Sequence, residues 1–543
     1  MIDQRAEDIV CREAEETDAP AVTELFRAAY GEGYVHPQIY DDREVRRMIF
    51  DDATLVLVAE HVPSRRVVGI AGVLFEMGAY SDLVGEFGRL VVDPAWRRRG
   101  IGHRLMQERI ARVGQRLHMA FVEVRVGTPA SPTISQAHGF VPVGALPQKL
   151  VFGGKREHAG FLVKYFGEAL ALRRNHPRMI PEAHFLADVA LRGVGVEPDV
   201  ILDEKAPAYP PGGAYDITEL KTPGYASLLR IERGRVHHRE VFGPQRLNYG
   251  LSRLAASDST YLVAREEGRV VGAIGFTREE LERHVRVFEV INTSEDVIRV
   301  LFDGLARLCQ ADGFMCVEVD VGADATRMQR TLLEIGYLPV AYVPAMAFHE
   351  VERLDVLKMY RLFGPLLELP FQAPEPTRSV GLRVIRQFEV AELGPRLRET
   401  AAGLTLCEGL TDEQAACVAR VFEPRILEAG SRIFSIGDPA DEILVILQGD
   451  VHVEAGGMSL GTVGPGECLG EVAFLHDGRH AAQATASTAV DAGVLTRGAL
   501  NGLSRRRPDI GSVVYRNIAR GLGAKLRRAD GLEEDSPLAS DPP

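Results

Sequence analysis

Short apolar runs rich in β-branched residues alternate with helical patterns over the first two thirds of the chain. Each of two stretches reads as a helix, two strands that turn on "SRRVVG" or "GRVVG", a third strand, a helix, a strand and a last helix before "GF" or "GY". Alternation of strands with helices is typical of layered α/β folds. We therefore predict two mixed-sheet α/β domains here.

The order of these runs repeats along the chain. "RVVGIAG" at 66–72 returns as "RVVGAIG" at 269–275, "VEVRVG" at 122–127 as "VEVDVG" at 317–322, and "GFVPVGALP" at 139–147 as "GYLPVAYVP" at 336–344. Matches in one order favour an internal duplication. The alternative is that two unrelated α/β domains share Val-rich strands. The predicted boundaries are 8–168 for the first copy, 169–215 for a connector of helix and loop, and 216–365 for the second copy.

The pattern changes at about residue 404, after a Pro-rich linker predicted at 366–403. Short alternating runs are broken by Gly437-Asp438-Pro439 and Gly449-Asp450, which favours a β-roll, and helical patterns flank them. This third domain is predicted at 404–530. The acidic, Pro-rich tail at 531–543 is predicted to be disordered.

Composition narrows the functional classes. The 543 residues are 46% hydrophobic, 26% charged and carry a formal net charge of −13, which argues against general binding to nucleic acid or to an anionic membrane. The acidic N-terminus and the lack of a membrane-length apolar run predict a cytoplasmic protein. The six cysteines show no metal-ligand spacing, so we expect free thiols and no metal site. The oligomeric state is not readable.

The stretch "RRRGIG" at 97–102 combines three arginines and two glycines between a strand and a helix. Free backbone amides at a helix start bind phosphate well. With "LVVDP" before it, the pattern Arg97-x-x-Gly100-x-Gly102 resembles the acyl-CoA loop of the GNAT superfamily of N-acetyltransferases. The resemblance runs from about Val10 to Gln148 and implies acetyl-CoA as acyl donor. The alternative is a solvated arginine-rich turn whose glycines cap secondary structure.

The resemblance assigns the residues that would hold acetyl-CoA. The turn and Arg97 would bind the pyrophosphate, and the strand before it would contact the pantetheine arm. The assigned residues are Leu90, Val91, Val92, Arg97, Arg98, Arg99, Gly100, Ile101, Gly102 and His103.

Transfer to an amine needs a group that takes a proton from nitrogen. Glu86 lies 11 positions before Arg97, where some GNAT enzymes carry a catalytic glutamate, and it is the candidate base. The alternative is an exposed carboxylate on an edge strand. Ser135 stands where many members carry a tyrosine acid, and its hydroxyl is the candidate donor to the leaving sulfur, while His138 is expected to cap a helix. Tyr34, His36 and Tyr40 fall on the acceptor side without an assigned role.

The second copy lacks the glycines of the turn. A displacement of 195 places "NTSEDV", 292–297, opposite "RRRGIG", so that every glycine is lost and Glu295 and Asp296 stand where a pyrophosphate would need positive charge. Negative charge there opposes pyrophosphate binding. We expect this copy to be a degenerate GNAT-like domain that has lost acyl-CoA and serves as a structural or acceptor-binding half.

The third domain, with "RIFSIGDPADEILVILQGDVHV" followed by "GTVGPGECLGEVAFLHDGRHAAQATA", resembles the cyclic-nucleotide-binding family, and Gly470-Glu471 opens its phosphate-binding cassette. The resemblance implies cAMP or cGMP as effector, with Glu471 at the ribose hydroxyl. His480 occupies the usual arginine position and Arg479 precedes it, so either residue is a candidate for the phosphate. The assigned residues are Gly470, Glu471, Arg479, His480 and Ala481. No helix-turn-helix follows, so DNA binding is not expected.

Two functions fit these observations. The first is an acyl-CoA-dependent N-acyltransferase that acts on an amine acceptor, a protein lysine or a small molecule, and is regulated by a cyclic nucleotide. The second is a non-catalytic signalling or scaffold protein with GNAT-like binding domains. Retained glycines in "RRRGIG" favour the first, whereas the missing tyrosine acid and the altered cassette favour the second.

Overall fold

The chain folds as two compact units, Met1–Ile385 and Arg386–Pro543. A computed structural model describes residues 8–75, 83–220, 240–242, 248–249, 252–253, 259–349, 351–400, 404–419, 421–476 and 478–529. The predicted disordered tail at 531–543 lies outside these residues. In the first unit, we call residues 8–168 the first half and residues 216–365 the second half.

The first half alternates strands and helices as the pattern predicts. Its strands, with two short ones after it, are β1 (Ile9–Glu13), β2 (Thr54–His61), β3 (Arg66–Leu74), β4 (Val84–Val92), β5 (Met119–Arg125), β6 (Val141–Phe152), β7 (Lys155–Tyr165), β8 (Arg178–Met179) and β9 (Ile201–Leu202). Its helices, with one in the connector, are α1 (Ala19–Tyr30), α2 (Asp42–Phe50), α3 (Ile101–Val113), α4 (Ala130–Ala137) and α5 (His184–Gly193).

The second half has a similar order of elements. Its strands are β10 (Asp216–Leu220), β11 (Val241–Phe242), β12 (Asn248–Tyr249), β13 (Ser252–Arg253), β14 (Ser259–Glu266), β15 (Arg269–Glu279), β16 (His284–Asn292), β17 (Cys316–Gly322), β18 (Leu338–His349) and β19 (Glu352–Leu362). Its helices are α6 (Val297–Ala311) and α7 (Thr326–Glu334), and α8 (Thr377–Thr400) forms within the predicted linker.

The two halves share one sheet. The strand order is β1-β2-β3-β4-β5-β7-β6-β18-β19-β17-β16-β15-β14-β10, with β11 paired to β17. The halves meet where Gly144 of β6 pairs with Ala341 of β18. Glycine is required there, because a Cβ at position 144 would lie 2.5 Å from the Ala341 Cα.

A parallel strand pair in each half separates partway along its length. β4 pairs with β5 only from Val84 to Glu86, and β16 pairs with β17 only from His284 to Val287. Beyond these points the two strands of each pair separate and a space opens between them. Clefts at the carboxyl ends of parallel strands are common ligand sites in α/β sheets.

The amphipathic helix α3 packs against the sheet beside the first cleft. Ile101, Leu105, Met106 and Val113 are buried at helical spacing. The same face buries Arg109, whose Nη1 donates to the carbonyl oxygens of Gly72 and Gly88, both at 3.0 Å. These bonds tie α3 to the backbones of β3 and β4.

The second unit is a β-roll with flanking helices. Its strands are β20 (Glu423–Leu427), β21 (Arg432–Phe434), β22 (Glu442–Gln448), β23 (Val451–Ala455), β24 (Met458–Val463), β25 (Cys468–Leu469), β26 (Gln483–Ala486) and β27 (Val490–Thr496). They form two four-stranded sheets, β20-β27-β22-β25 and β21-β26-β23-β24. The helices are α9 (Asp412–Ala419), α10 (Glu471–Leu475), α11 (Arg497–Arg506) and α12 (Pro508–Ala529). The predicted fold class, mixed α/β followed by a β-roll, is confirmed.

Candidate functional site

The turn between β4 and α3 presents free backbone amides. Among the residues that the structure describes, the amides of 97–103 have no hydrogen-bond acceptor, and the first bond of α3 runs from Arg104 N to Gly100 O at 3.0 Å. Arg98 and Gly100 have φ angles of 62° and 77°. This left-handed conformation turns consecutive N–H groups outward, which forms an anion-binding concavity at the positive end of the helix.

The side chains of the turn surround these amides. Arg97 and Arg98 are exposed, and Arg97 Nε donates to Val92 O at 3.2 Å. The Arg99 guanidinium lies 4.6 Å from the centre of the Trp96 ring. His103 Nδ1 lies 3.2 Å from Nε2 of His138, which follows the last residue of α4 as expected for a cap. The guanidinium groups therefore place positive charge beside the free amides.

The other assigned residues contribute through their backbone or through helix packing. The Ile101 side chain is buried in the core, so only its amide faces the turn. A Cβ at Gly102 would lie 2.9 Å from Ile134 Cδ1, so glycine permits the packing of α3 on α4. Leu90, Val91 and Val92 lie on β4 beyond its last pair with β5, which leaves their backbone edge open to the cleft.

A cavity of about 170 Å³ extends from this cleft. Leu90, Val91 and Met106 line it near the turn, and Glu86 and Ser135 line it further along. Both residues predicted to act in the chemistry therefore face one space.

Glu86 is held inside the sheet. It pairs with Leu74 of β3 on one side and Phe121 of β5 on the other, so the alternative of an exposed edge-strand carboxylate is wrong. Within the described part of the chain, its carboxylate forms no hydrogen bond and no ion pair. Burial raises the pKa of Glu86, and the Arg89 guanidinium opposes this rise. A carboxylate with a raised pKa is a stronger base.

Ser135 lies on α4 with only 1% of its surface exposed. Its carbonyl oxygen accepts hydrogen bonds from the amides of His138 and Phe140, at 3.2 and 3.1 Å, which closes the end of the helix. These bonds hold the residue against the cavity.

An aromatic wall lines the cavity at the end away from the turn. We use this name for Tyr30, Tyr34, His36 and Phe152, whose neighbouring rings lie 5.3 to 6.3 Å apart. Burial raises the pKa of Tyr34 and lowers that of His36 to about 4. Tyr40 does not line the cavity, and its hydroxyl accepts from the Tyr34 amide at 3.2 Å.

The sequence did not reveal that the second half also lines this cavity. Glu279, Glu282, His284 and Arg286 contribute from β15, β16 and the turn between them. The only local signal is charge inside apolar strands, as in "HVRVFEV".

A buried ion-pair network includes Arg286 from this part of the cavity lining. Glu318 lies 2.6 Å from Lys358 Nζ, 2.9 Å from Arg286 Nη2 and 3.3 Å from Lys149 Nζ, and Lys149 also lies 2.5 Å from Glu123. Burial alone would lower the pKa of Lys149, but the carboxylates of Glu123 and Glu318 raise it. Lys149 and Arg286 therefore remain charged and paired.

The corresponding cleft in the second half is filled. The strand β11 pairs with β17 and contacts β16, and Val241 is buried there. Gly322 N donates to Glu240 O at 2.9 Å, and Tyr209 donates through its hydroxyl to the Glu240 carboxylate at 2.8 Å. These contacts occupy the space that remains open between β4 and β5.

The connection before α6 also differs from the predicted register. Residues 293–296 are four positions long where residues 93–100 are eight, and α6 begins at Val297 where α3 begins at Ile101. The displacement of 195 is therefore wrong by one residue at the helix start. Asp296 accepts a hydrogen bond from the Tyr215 hydroxyl at 2.7 Å, and a Cβ at Gly212 would lie 2.5 Å from the Asp296 carbonyl oxygen. The segment around Gly212 therefore covers this helix start.

The second unit places the predicted nucleotide residues in one loop region. Gly470, with φ of 92°, precedes α10, and Glu471 is only 4% exposed. Lys525 Nζ of α12 lies 2.9 Å from Glu471 Oε1 and also donates to Cys468 O. The carboxylate predicted to meet a ribose is therefore already paired.

Arg479 and His480 differ in their surroundings. The His480 ring is buried and stacks on Phe434, with ring centroids 3.6 Å apart. Burial lowers the pKa of His480, so the imidazole is neutral at pH 7. Arg479 is exposed and donates from Nη1 to Gly437 O at 2.6 Å, and Ala481 is exposed beside it. Of these two residues, Arg479 is the one that carries a positive charge at neutral pH.

Two negative findings concern the described residues. None of their helices has the length and apolar character needed to cross a bilayer. Their His, Cys, Asp and Glu side chains form no group of three or more arranged to hold a metal ion.

Comparisons with known proteins support both predicted resemblances. Residues 52–142 match the acetyltransferase (GNAT) domain family, and residues 424–507 match the cyclic nucleotide-binding domain family. The cyclic AMP receptor protein of Thermus thermophilus is 32% identical over 138 residues, which cover 24% of this chain and 62% of that protein. A CRP-like cAMP-activated global transcriptional regulator of Mycobacterium tuberculosis is 28% identical over 137 residues, 24% of this chain and 59% of that protein.

The chain was also compared with solved structures. The structure of yncA from Salmonella typhimurium with its cofactor acetyl-CoA has 20% identity and a TM-score of 0.27, and the match covers 30% of this chain and 95% of that one. The chain spans about 60% of the length of the curated relatives it matches. By its family matches, the chain contains a GNAT acetyltransferase domain and, nearer its C-terminus, a cyclic nucleotide-binding domain.

Proposed function

We propose that the protein is an acyl-CoA-dependent N-acyltransferase, with acetyl-CoA as donor and an amine as acceptor. The observation that carries this proposal is the set of free amides at 97–103, which opens into a cleft that leads to Glu86. The amides, with Arg97, Arg98 and Arg99, would hold the pyrophosphate, and the open edge of Leu90 to Val92 would hold the pantetheine arm.

The chain's own residues supply the proton chemistry. When bound, acetyl-CoA supplies an acyl carbon activated as a thioester. Glu86 accepts the proton that the amine nitrogen loses as the C–N bond forms, and the Ser135 hydroxyl donates a hydrogen bond to the sulfur as the C–S bond breaks. The buried position of Glu86 suits the first role because burial raises its pKa.

We infer that the second half does not bind acyl-CoA. The filled cleft between β16 and β17 and the covered start of α6 support this inference, and so does the acidic pair Glu295 and Asp296. It contributes one side of the acceptor cavity, formed by Glu279, Glu282, His284 and Arg286.

We further infer that the second unit binds cAMP or cGMP and regulates the transferase. We also propose that the protein acts in the cytoplasm. To test the whole proposal, we would mix the full chain with acetyl-CoA and a panel of amines and follow CoA release with and without each nucleotide. Acceptor-dependent release that responds to nucleotide is the expected result. A chain that binds nucleotide but never releases CoA would favour the non-catalytic alternative.

The first test of the nucleotide site separates Arg479 from His480. Because burial lowers the pKa of His480, its imidazole is largely neutral from pH 7 to 8. We therefore expect cAMP affinity to stay constant over this range, and Arg479→Ala to lower it by roughly 10- to 100-fold. Calorimetry measures both. An affinity that falls steadily as pH rises would instead assign the phosphate to His480.

The second test concerns the ion pair between Lys525 and Glu471. Lys525 and a ribose hydroxyl would compete for the Glu471 carboxylate, so Lys525→Met should raise cAMP affinity by about 5-fold, the value of a partly exposed ion pair. Arg520→Met, an exposed change on the same helix, is the matched control and should have no effect. Equal affinities for all three proteins would show that the pair does not compete with nucleotide.

A further inference from the structure

The acceptor end of the cavity is built from both halves. Glu86 comes from β4 and the aromatic wall from α1, the loop after it and β6, whereas Glu282 comes from the turn between β15 and β16. A first half alone would lack the side of the cavity that carries Glu282.

The cations that line the cavity form their ion pairs and hydrogen bonds with groups other than Glu282. Of the cations that line the cavity, Lys149 pairs with Glu123 and Glu318, Arg286 pairs with Glu318, and Arg125 pairs with Glu157 at 2.5 Å. Arg109, which also lines the cavity, donates to the carbonyl oxygens of Gly72 and Gly88. Arg89 acts on Glu86, where its charge opposes the rise in pKa. Glu282 forms no hydrogen bond or ion pair through its carboxylate with any residue that the structure describes.

The surroundings of Glu282 favour a cation. Burial raises the pKa of this carboxyl to about 8, and Glu123, Glu279 and Glu86 add to the rise while Lys149 opposes it. A positively charged ligand group beside Glu282 would stabilise the ionised form of its carboxyl. The aromatic wall acts in the same sense because the faces of aromatic rings attract cations. A cavity of about 170 Å³ suits a small molecule.

We propose that the acceptor is a small linear diamine, whose reacting nitrogen lies at Glu86 and whose second, positively charged nitrogen is bound by Glu282. This assignment rests on the proposed acyltransferase function. It gives the second half a specific task, because the half that lacks an open acyl-CoA cleft supplies the residue that selects the acceptor.

The test compares three probes of equal chain length on the full protein: 1,4-diaminobutane, 1-aminobutane and 4-aminobutanoate. We expect kcat/KM for the diamine to exceed that for the monoamine by about tenfold, the value of one charge-assisted contact. Glu282→Gln should remove this preference by raising the diamine KM, so that diamine and monoamine react with similar kcat/KM. Glu282→Asp should retain part of the preference because it keeps the charge.

Controls separate this inference from the proposed function. Glu280→Gln changes an exposed neighbour that pairs with Arg283, and it should behave as the wild type. Calorimetry of 1,4-diaminobutane gives a readout that does not depend on turnover, and Glu282→Gln should weaken this binding as well. If acetyl-CoA does not bind, the proposed function fails. If the protein acetylates monoamine and diamine equally well, or prefers 4-aminobutanoate, only the diamine assignment is overturned.

Discussion

Gly100→Glu is expected to abolish acetyl-CoA binding, with an affinity at least ~100-fold lower than that of the wild type. The change places a carboxylate among the free amides of 97–103, where the pyrophosphate would lie, and it strains a residue whose φ is 77°. A Cβ at this position would meet no atom within 4 Å, so the core is not disturbed. Calorimetry with acetyl-CoA measures the loss.

The matched control is Gly268→Glu in the turn between β14 and β15. Gly268 has a φ of 79° and equally open surroundings, so this variant carries the same backbone strain without touching the turn before α3. It should bind acetyl-CoA as the wild type does. Gly102→Glu is a poorer choice, because its Cβ would contact Ile134 and disturb the packing of α4. Undiminished binding by Gly100→Glu would refute the assignment of the turn.

Glu86→Gln is expected to slow acyl transfer by roughly 10²- to 10⁴-fold and to leave acetyl-CoA affinity unchanged. The amide keeps the shape of the side chain but cannot accept the proton from the amine. Only ionised Glu86 acts as a base, so the wild-type rate should rise with pH through the pKa of this carboxyl. Because burial raises that pKa, the midpoint should lie above the usual range of a glutamate.

The pH profile distinguishes a base from a merely structural carboxylate. The variant should lose the rise that Glu86 causes, whereas Glu108→Gln, a change on the exposed face of α3, should retain both the rate and the profile. A Glu86→Gln protein as fast as the wild type would mean that another group takes the proton.

Local sequence patterns predicted the parts of the site that are local in structure. "RRRGIG" marked the turn, because glycines and arginines between a strand and a helix are typical of a phosphate-binding turn. Through the GNAT resemblance, Glu86 followed from its spacing to that turn and Ser135 from its place four residues before Gly139. The fold class also followed from the alternation of apolar runs.

The remaining parts depend on contacts between segments far apart in the chain. Glu282 lies in the other half from Glu86, and nothing in its neighbouring residues indicates the cavity it lines. The strand β11 has two residues, too few to show a period. The pairing of Lys525 with Glu471 depends on how α12 packs, which a helical pattern alone does not specify.

The most direct test of the proposed enzyme is acceptor-dependent release of CoA thiol from acetyl-CoA, measured for the wild type and for Gly100→Glu under identical conditions. If acetyl-CoA must bind at the turn 97–102, the wild type should release CoA at a rate that rises with amine concentration. The variant should release none above background. Equal release by the two proteins, or release by neither with any amine, would contradict the proposed function.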